Sequence, residues 1–244
     1  MTAVRVQQGS ATFAVGGRPY AVDRYVRMEA AVPRPAVVVV HGIDGLSGAS
    51  GAAIRSFAEQ VALEGYLVLV PHYFDSNDGA DSAPLEQLVA LRATRTDSYR
   101  PRLAAAVALA MADSDAAPGG MGLVGFSLGG GLAIDHAETA VPGTVKVLVD
   151  FFGHIFSPAL LANVDRLPPT LVLHNRGDAV VALASSSQPL VDALKKRAVP
   201  HQHTFYTDAN PGSSNHPFLP GGPADIDARS KAVAWLKAHL VVSH

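Results

Sequence analysis

The chain has 244 residues, of which 48% are hydrophobic and 16% charged, and its formal net charge is -2. This composition is apolar enough for a large buried core, which excludes a disordered chain. The nearly balanced charge offers no basic stripe for nucleic acid and no polybasic segment for anionic lipid, so we expect a small-molecule partner rather than nucleic acid or a membrane. Because the sequence contains no cysteine, it has no disulfide, no thiolate metal site and no cysteine nucleophile.

Length and the first residues bear on domain number and location. An α/β fold of this size is routinely one domain, and we expect a single domain over residues 1–244. The opening stretch MTAVRVQQGSATF lacks a charged segment followed by an apolar run. No stretch approaches about 18 uninterrupted apolar residues, the length of a membrane span. We therefore expect a cytoplasmic location.

Hydrophobic patterning predicts alternating strands and helices. Residues 11–30 alternate around Gly16-Gly17, which predicts an antiparallel hairpin at a sheet edge. Apolar, β-rich runs predict further strands at 36–42, 66–71, 121–127, 145–153, 170–178 and 203–209. Helical patterns lie at about 50–64, 98–113, 129–139, 184–197 and 223–241. The alternation predicts an α/β fold, a doubly wound, mostly parallel sheet of about 7–8 strands with helices on both faces.

One long irregular stretch interrupts this alternation. DSNDGADSAP (Asp75–Pro84) follows a predicted strand and leads into a weak helix at 85–93. Residues 75–97 are therefore a candidate insertion at the wall through which substrate enters, and a plain solvated loop is an equally good interpretation.

Ligands of parallel α/β sheets bind beyond the carboxyl ends of the strands, so catalytic residues are sought just after strands.

A candidate nucleophile lies in LVGFSLGGG, residues 123–131. Its pattern Gly-x-Ser-x-Gly, centred on Ser127, is typical of a sharp strand-to-helix turn that raises a serine hydroxyl above a sheet edge. The exposed N–H groups of the helix that begins there favour developing negative charge. Taken alone, the pattern also fits a structural serine in a glycine-rich turn.

A nucleophilic serine needs a base to take its proton and a third group to fix the tautomer of that base. Asp178 closes the predicted run 170–178, and His216 lies in the loop GSSNHPF before the last helix. The order Ser127, Asp178, His216 is that of hydrolases with such an elbow. Asp150, at the end of another strand, is the rival acid. The remaining candidate bases, each more simply interpreted as structural or exposed, are His136, His154, His174, His201 and His203.

Backbone amides are candidates for binding the oxyanion. VVVVHGIDGLSG, residues 37–48, places a turn of small residues directly after a central strand. The N–H of Ile43 and that of Leu128, the residue after the candidate nucleophile, are the expected pair of donors. The alternative for His41-Gly42 is a tight turn with no catalytic contact.

Six pieces of the chain, between roughly residues 36 and 240, match one family in order. They are VVVVHGIDGL, GYLVLVPHYF, GLVGFSLGGGLA, VDFFG, LVLHNRGDAVV and the His-Pro-Phe step at 216–218. With them the chain resembles the dienelactone hydrolase family of the α/β-hydrolases. The resemblance implies Ser127 as nucleophile, His216 as base and Asp178 as its orienting acid, with the amides of Ile43 and Leu128 donating to the oxyanion.

The chain departs from the family pattern in three ways. Founding members use a cysteine nucleophile held by a nearby glutamate, whereas this chain has Ser127 and, at the place of the glutamate, Gly42. Those members also bind the carboxylate of the substrate with two arginines, and the corresponding stretches here, FDSND and HPFLPGG, contain none. The resemblance therefore implies a serine hydrolase that is not a true dienelactone hydrolase.

These observations predict an enzyme that cleaves a carboxylic ester, lactone or thioester through an acyl-serine intermediate, with neither metal nor organic cofactor. An acyltransferase or cyclase with the same triad and a binding protein that has lost turnover are the alternatives. The missing arginines favour neutral or apolar acyl substrates. Arg92, Arg95 and Arg100 are best interpreted as solvated surface charges, with a replacement carboxylate clamp as the alternative.

Overall fold

The computed structural model describes residues 5–28, 32–207, 210 and 214–241. Its strands are β1 (Val6–Val15), β2 (Arg18–Arg27), β3 (Ala36–Val40), β4 (Leu67–Pro71), β5 (Met121–Phe126), β6 (Val145–Phe151), β7 (Thr170–Asn175) and β8 (His201–Tyr206). Its α-helices are α1 (Gly48–Leu63), α2 (Leu85–Arg92), α3 (Thr96–Ala112), α4 (Leu128–Thr139), α5 (Ser187–Lys196) and α6 (Pro223–His239). Short 3-10 helices cover Ser76–Asp78, Ala93–Arg95, Pro158–Leu161, Val164–Arg166 and Leu183–Ser185.

Strand and helix alternate as the apolar runs predict, and the expected α/β fold is confirmed. The strand order is β1-β2-β4-β3-β5-β6-β7-β8, with an antiparallel hairpin at one end. Every residue of β3, β4 and β7 is buried, which explains their uninterrupted apolar sequences. The chain divides into two compact units, one from the N-terminus through Gly122 and one of residues Leu123–Val241. The expectation of a single domain stays a prediction.

The first unit begins with the predicted hairpin. β1 and β2 pair antiparallel and turn at Gly16 and Gly17, whose φ values are 57° and 77°. β2 then pairs antiparallel with β4, which pairs parallel with β3. β1 begins at Val6, before the predicted residue 11. The prediction missed these first residues because most side chains of the strand are exposed and show no apolar alternation. Residues 29 and 30 of the predicted hairpin lie outside the described residues.

The candidate insertion 75–97 is a folded part of the first unit. Asp75 begins the 3-10 helix Ser76–Asp78 and accepts a hydrogen bond from the N–H of Asn77 at 2.8 Å. The Asp78 side chain is fully buried and pairs with Nη1 of Arg102 at 2.7 Å. With an ion pair at its centre, this segment is not a plain solvated loop.

In the second unit, β6, β7 and β8 pair in parallel. The predicted run 145–153 ends at Phe151 because Phe152 takes a φ of 45°, outside the range of a strand. The last strand begins at His201 rather than 203, in register with Thr170 of β7. Residues 208 and 209 of its predicted span lie outside the described residues.

The helices lie close to their predicted positions. α5 begins at Ser187 rather than 184, because the residues before it form the 3-10 helix Leu183–Ser185. α4 begins at Leu128, directly after the candidate nucleophile. In the part of the chain that the structure describes, no helix is both long enough and apolar enough to cross a membrane.

Candidate active site

Ser127 lies in a sharp turn between β5 and α4. Its φ of 55° and ψ of -117° are unusual for any residue other than glycine. The carbonyl oxygen of Ser127 accepts hydrogen bonds from the N–H groups of Gly130 at 2.9 Å and Gly131 at 3.2 Å. A Cβ on Gly125 would lie 2.3 Å from the carbonyl oxygen of Gly129, so a side chain at that position does not fit. Gly125 thus permits the turn that the pattern predicted.

The structure brings Ser127, His216 and Asp178 together in one hydrogen-bonded chain. Nε2 of His216 lies 2.9 Å from Oγ of Ser127, and Nδ1 lies 2.6 Å from Oδ2 of Asp178. A carboxylate only accepts hydrogen bonds, so Nδ1 holds the imidazole proton and Nε2 has a free lone pair facing the serine hydroxyl. This is the tautomer that can take the proton of the serine.

Asp178 is held as an ionised acceptor. Its Oδ1 accepts hydrogen bonds from the N–H groups of Val180 and Val181, both at 2.8 Å. Burial would raise the pKa of this carboxyl, but hydrogen bonds from His174 and His216 lower it well below its usual range. Asp178 therefore stays negatively charged throughout the neutral pH range.

Phe152 packs against the imidazole of His216. Its ring centroid lies 4.7 Å from that of His216 in an edge-on arrangement, and 5.1 Å from that of Phe218. Its N–H donates to the carbonyl oxygen of Leu173 at 2.7 Å, which fixes the turn after β6. The sequence did not reveal this contact, because the apolar run VDFFG looks like a continuing strand.

Asp150, the rival acid, makes no hydrogen bond to His216 among the described residues. It is fully buried, and neither carboxyl oxygen has a partner at normal hydrogen-bond geometry among the described residues. Burial raises its pKa to about 7, against smaller lowering effects of His174 and the Gly153 amide. Gly130 and Gly153 both approach its Oδ1 closely. Asp150 is thus a buried acid that holds its proton up to nearly neutral pH.

This burial predicts a pH-dependent loss of stability. The unfolded chain releases the Asp150 proton near 3.8 and the folded protein near 7, so folding becomes less favourable as pH rises between those values. The cost is at most about 4 kcal/mol. We expect Asp150→Asn, which cannot ionise, to gain stability relative to wild type as pH rises from about 4 to about 8. Thermal melting of both proteins across this range tests it, and a pH-independent difference in Tm would contradict it.

The other candidate bases do not reach the serine hydroxyl. His174 is fully buried, with Nδ1 2.7 Å from Oγ of Ser187 and Nε2 2.8 Å from the carbonyl oxygen of Val181. Its Nε2 also lies 3.4 Å from Oδ2 of Asp178, so it contacts the acid and not the nucleophile. Within the described residues, no side-chain hydrogen bond joins Ser127 to His136, His154, His201 or His203.

In the first unit, the turn of residues 42–46, which we call the Ile43 turn, follows β3. The carbonyl oxygen of Gly42 accepts from Nδ1 of His41 at 2.9 Å and from the N–H of Gly45 at 3.2 Å. Burial lowers the pKa of His41 to about 3, so this imidazole is neutral and donates through one nitrogen. The N–H of Ile43 has no acceptor among the described residues.

In the second unit, the N–H of Leu128 is the first of helix α4 and has no partner within the helix. Among the described residues, neither of the two expected donors is therefore bonded within its own turn or helix. Their shared role at an oxyanion stays a prediction.

The three arginines of the insertion have different environments. The side chain of Arg92 is fully buried, so its interpretation as a solvated surface charge is wrong. Arg95 is about one quarter exposed and pairs with Asp78 at 3.1 Å. Arg100 is exposed and pairs with Asp97, as a surface charge does. Nε, Nη1 and Nη2 of Arg92 all donate to protein oxygens, so this arginine is not a free carboxylate clamp.

In the described ranges, no group of three or more His, Asp or Glu is arranged to hold a metal ion. The fold and the strand-turn-helix geometry around the serine define an α/β-hydrolase. The sequence profile of the dienelactone hydrolase family matches residues 22–242, and the chain belongs to that family. The resemblance of the six sequence pieces is confirmed, and the protein is a hydrolase.

The similarity to known proteins covers almost the whole chain. A provisionally named carboxymethylenebutenolidase of Synechocystis sp. is 27% identical over 234 residues, which are 90% of this chain and 86% of that protein. A provisionally named dienelactone hydrolase of Klebsiella pneumoniae has a TM-score of 0.79 at 19% identity, covering 96% of this chain and 100% of that one. A dienelactone hydrolase-like promiscuous phosphotriesterase from metagenomic libraries has a TM-score of 0.78 at 17% identity, covering 96% and 98%. At these identities the two structures establish the fold alone.

Proposed function

We propose that the protein hydrolyses carboxylic esters, lactones or thioesters through an acyl intermediate on Ser127. The observation that supports this most directly is the hydrogen-bonded chain from Asp178 through His216 to the serine hydroxyl. A serine with such a base is an activated nucleophile, and the buried carboxylate stabilises the imidazolium that forms. The small-molecule substrate follows from the hydrolase family.

The reaction has two halves. As Oγ of Ser127 attacks the acyl carbon, its proton moves to Nε2 of His216 and the carbonyl oxygen becomes an oxyanion. The bond to the leaving group then breaks, and His216 returns the proton to the leaving alcohol or thiol. Water repeats the sequence on the acyl-serine and releases the acid. The amides of Leu128 and Ile43 are the proposed donors to the oxyanion in both halves.

The expected preference for uncharged acyl groups rests on the missing arginines. The two stretches that carry the carboxylate-binding arginines in founding members, FDSND and HPFLPGG here, contain none. A carboxylate that enters an apolar pocket without a cationic partner sheds its hydration with little return.

We therefore expect the methyl ester of a dienelactone carboxylate to be a better substrate than the free acid. The loss of one charge-assisted contact typically costs about 1.5–3 kcal/mol, or about 10- to 150-fold in kcat/KM. The measurement is kcat/KM for both compounds at the same pH and salt concentration. A clear preference for the free acid would show that a cationic partner exists after all.

A fluorophosphonate probe tests the proposed function itself. Mass spectrometry of the treated protein should find one adduct on the peptide that contains Ser127, and Ser127→Ala should lack it. The protein is then assayed on p-nitrophenyl esters, lactones and acyl thioesters. An absent adduct would favour a binding protein, and an acyl-enzyme that forms but needs an added alcohol or amine to turn over would favour an acyltransferase. The cytoplasmic location stays a prediction from the sequence.

A further inference from the structure

We infer that Arg92, together with Asp81, is a positioning residue that holds the Ile43 turn so that the Ile43 amide stays free to donate. The inference rests on the proposed function, in which that amide binds the oxyanion. It gives the insertion of residues 75–97 a role in the reaction, because the insertion contacts the turn through these two side chains.

Arg92 joins the insertion to the Ile43 turn. Its Nη1 donates to the carbonyl oxygen of Ile43, and its Nε donates to that of Asp78 at 2.8 Å. Its Nη2 donates to the carbonyl oxygen of Gly79 at 2.7 Å and to Oδ1 of Asp81 at 2.8 Å. Three of the four acceptors belong to the insertion and one belongs to the turn, so the guanidinium fixes one against the other.

Asp81 makes a second connection between the same two segments. Its Oδ1 pairs with Arg92, while its Oδ2 accepts from the N–H of Leu46 at 3.3 Å. Gly45 lies beneath this carboxylate with a φ of 72°, and a Cβ there would lie 2.2 Å from Oδ2. A side chain there would push the carboxylate away from Leu46 and Arg92, and the positive φ also favours glycine.

These bonds fix the peptide groups on both sides of Ile43. His41 and the N–H of Gly45 hold the carbonyl of Gly42, and Arg92 holds the carbonyl of Ile43. In a trans peptide the C=O and N–H point in opposite directions, so holding the Gly42 carbonyl directs the Ile43 N–H to the other side. An unrestrained turn would rotate until this amide found an acceptor, since backbone donors rarely stay unpaired.

A purely structural role explains the arginine poorly. Burying a guanidinium is costly, and a well-packed apolar side chain of similar volume often stabilises a fold as much or more. Four directional hydrogen bonds, three of them to main-chain carbonyls, instead fix backbone orientation. Fixed dipoles are what an oxyanion site requires, because they need no reorganisation during the reaction.

The test is Arg92→Lys, which keeps the charge but loses the planar fork of donors. We expect kcat on a p-nitrophenyl ester to fall about 10- to 100-fold, somewhat less than after loss of a whole oxyanion donor. KM should stay within about threefold of wild type, because the donor acts mainly in the transition state. Labelling of Ser127 by the fluorophosphonate should slow in parallel, since its phosphoryl oxygen takes the place of the oxyanion.

Arg102→Lys is the matched control. Arg102 is buried in the same unit and donates to Asp78 at 2.7 Å and to the carbonyl oxygen of Tyr73 at 2.9 Å, but makes no hydrogen bond to the Ile43 turn. We expect a comparable loss in Tm with kcat within about threefold of wild type. Equal kcat losses in the two variants would overturn the inference and leave only a structural role.

Asp81→Asn decides the matter if Arg92→Lys does not fold. With its oxygen kept on the N–H of Leu46, the Asn amide would place its NH2 against Nη2 of Arg92, donor against donor. We expect kcat to fall about 3- to 10-fold with KM unchanged. Unchanged kcat would overturn the inference while leaving the proposed function intact. If Ser127→Ala retains full activity, the proposed function fails first and the inference fails with it.

Discussion

Ser127→Ala should lower kcat by about 10³-fold or more on any ester that the protein hydrolyses, because triad members act as a unit and the remainder retains only binding and oxyanion effects. The variant loses the only oxygen within hydrogen-bond distance of Nε2 of His216 in the described part of the chain. Steady-state kinetics and thermal melting should be measured on the same preparation. A folded variant that keeps more than about a tenth of wild-type kcat would contradict the assignment of Ser127 as the nucleophile.

His216→Ala and His203→Ala form a matched pair for the base. His216 bonds both Ser127 and Asp178, whereas His203 lies on β8 against the ring of Phe205. We expect the first variant to lose acylation and the second to keep it. The opposite result would place the base on β8.

Asp178→Asn should lower kcat by a similarly large factor, on the order of 10³- to 10⁴-fold, because the same substitution in the triad of serine proteases leaves the geometry intact but imposes the wrong tautomer. Oδ1 of Asp178 accepts two backbone N–H groups, so the Asn oxygen should take that place and its NH2 should face Nδ1 of His216. Nδ1 would then become an acceptor and Nε2 would hold the proton, which prevents it from taking the proton of Ser127. Activity and melting together measure the effect.

Asp150→Asn is the control for this substitution. Both aspartates are buried near the ends of neighbouring strands, but only Asp178 bonds His216. We expect Asp150→Asn to keep most of its kcat and to change mainly the Tm. A large loss of kcat in Asp150→Asn, with little loss in Asp178→Asn, would move the acid to the end of β6.

The meeting of Ser127, Asp178 and His216 could be anticipated from the sequence because Ser127 directly follows one strand and the other two residues come after later strands and before the next helix. Buried parallel strands are conspicuous as apolar runs, and the loops after them converge at one edge. Their order along the chain then indicated which residue is the candidate nucleophile, which the acid and which the base. Sequence reasoning could name these side chains, while their catalytic roles await the substitutions above.

Arg92 and Phe152 could not be anticipated in the same way. Three of the four acceptors of Arg92 are main-chain carbonyls, which any residue type supplies, so the sequence contains no sign of the partners. Its position in a polar insertion favoured a surface charge instead. Phe152 stands in an apolar run, and the sequence does not indicate its φ of 45°, because a bulky residue rarely takes a positive φ.

The backbone of Ser127 has a consequence for how this protein evolves. A residue other than glycine with a φ of 55° and a ψ of -117° stores strain of about 1–3 kcal/mol, which glycine at that position would largely relieve. A lineage that had ceased to use the hydroxyl would gain stability by drifting to glycine, a change of one residue in a segment already rich in it. Keeping serine at this position therefore costs stability, a cost that the proposed use of its hydroxyl as the nucleophile explains.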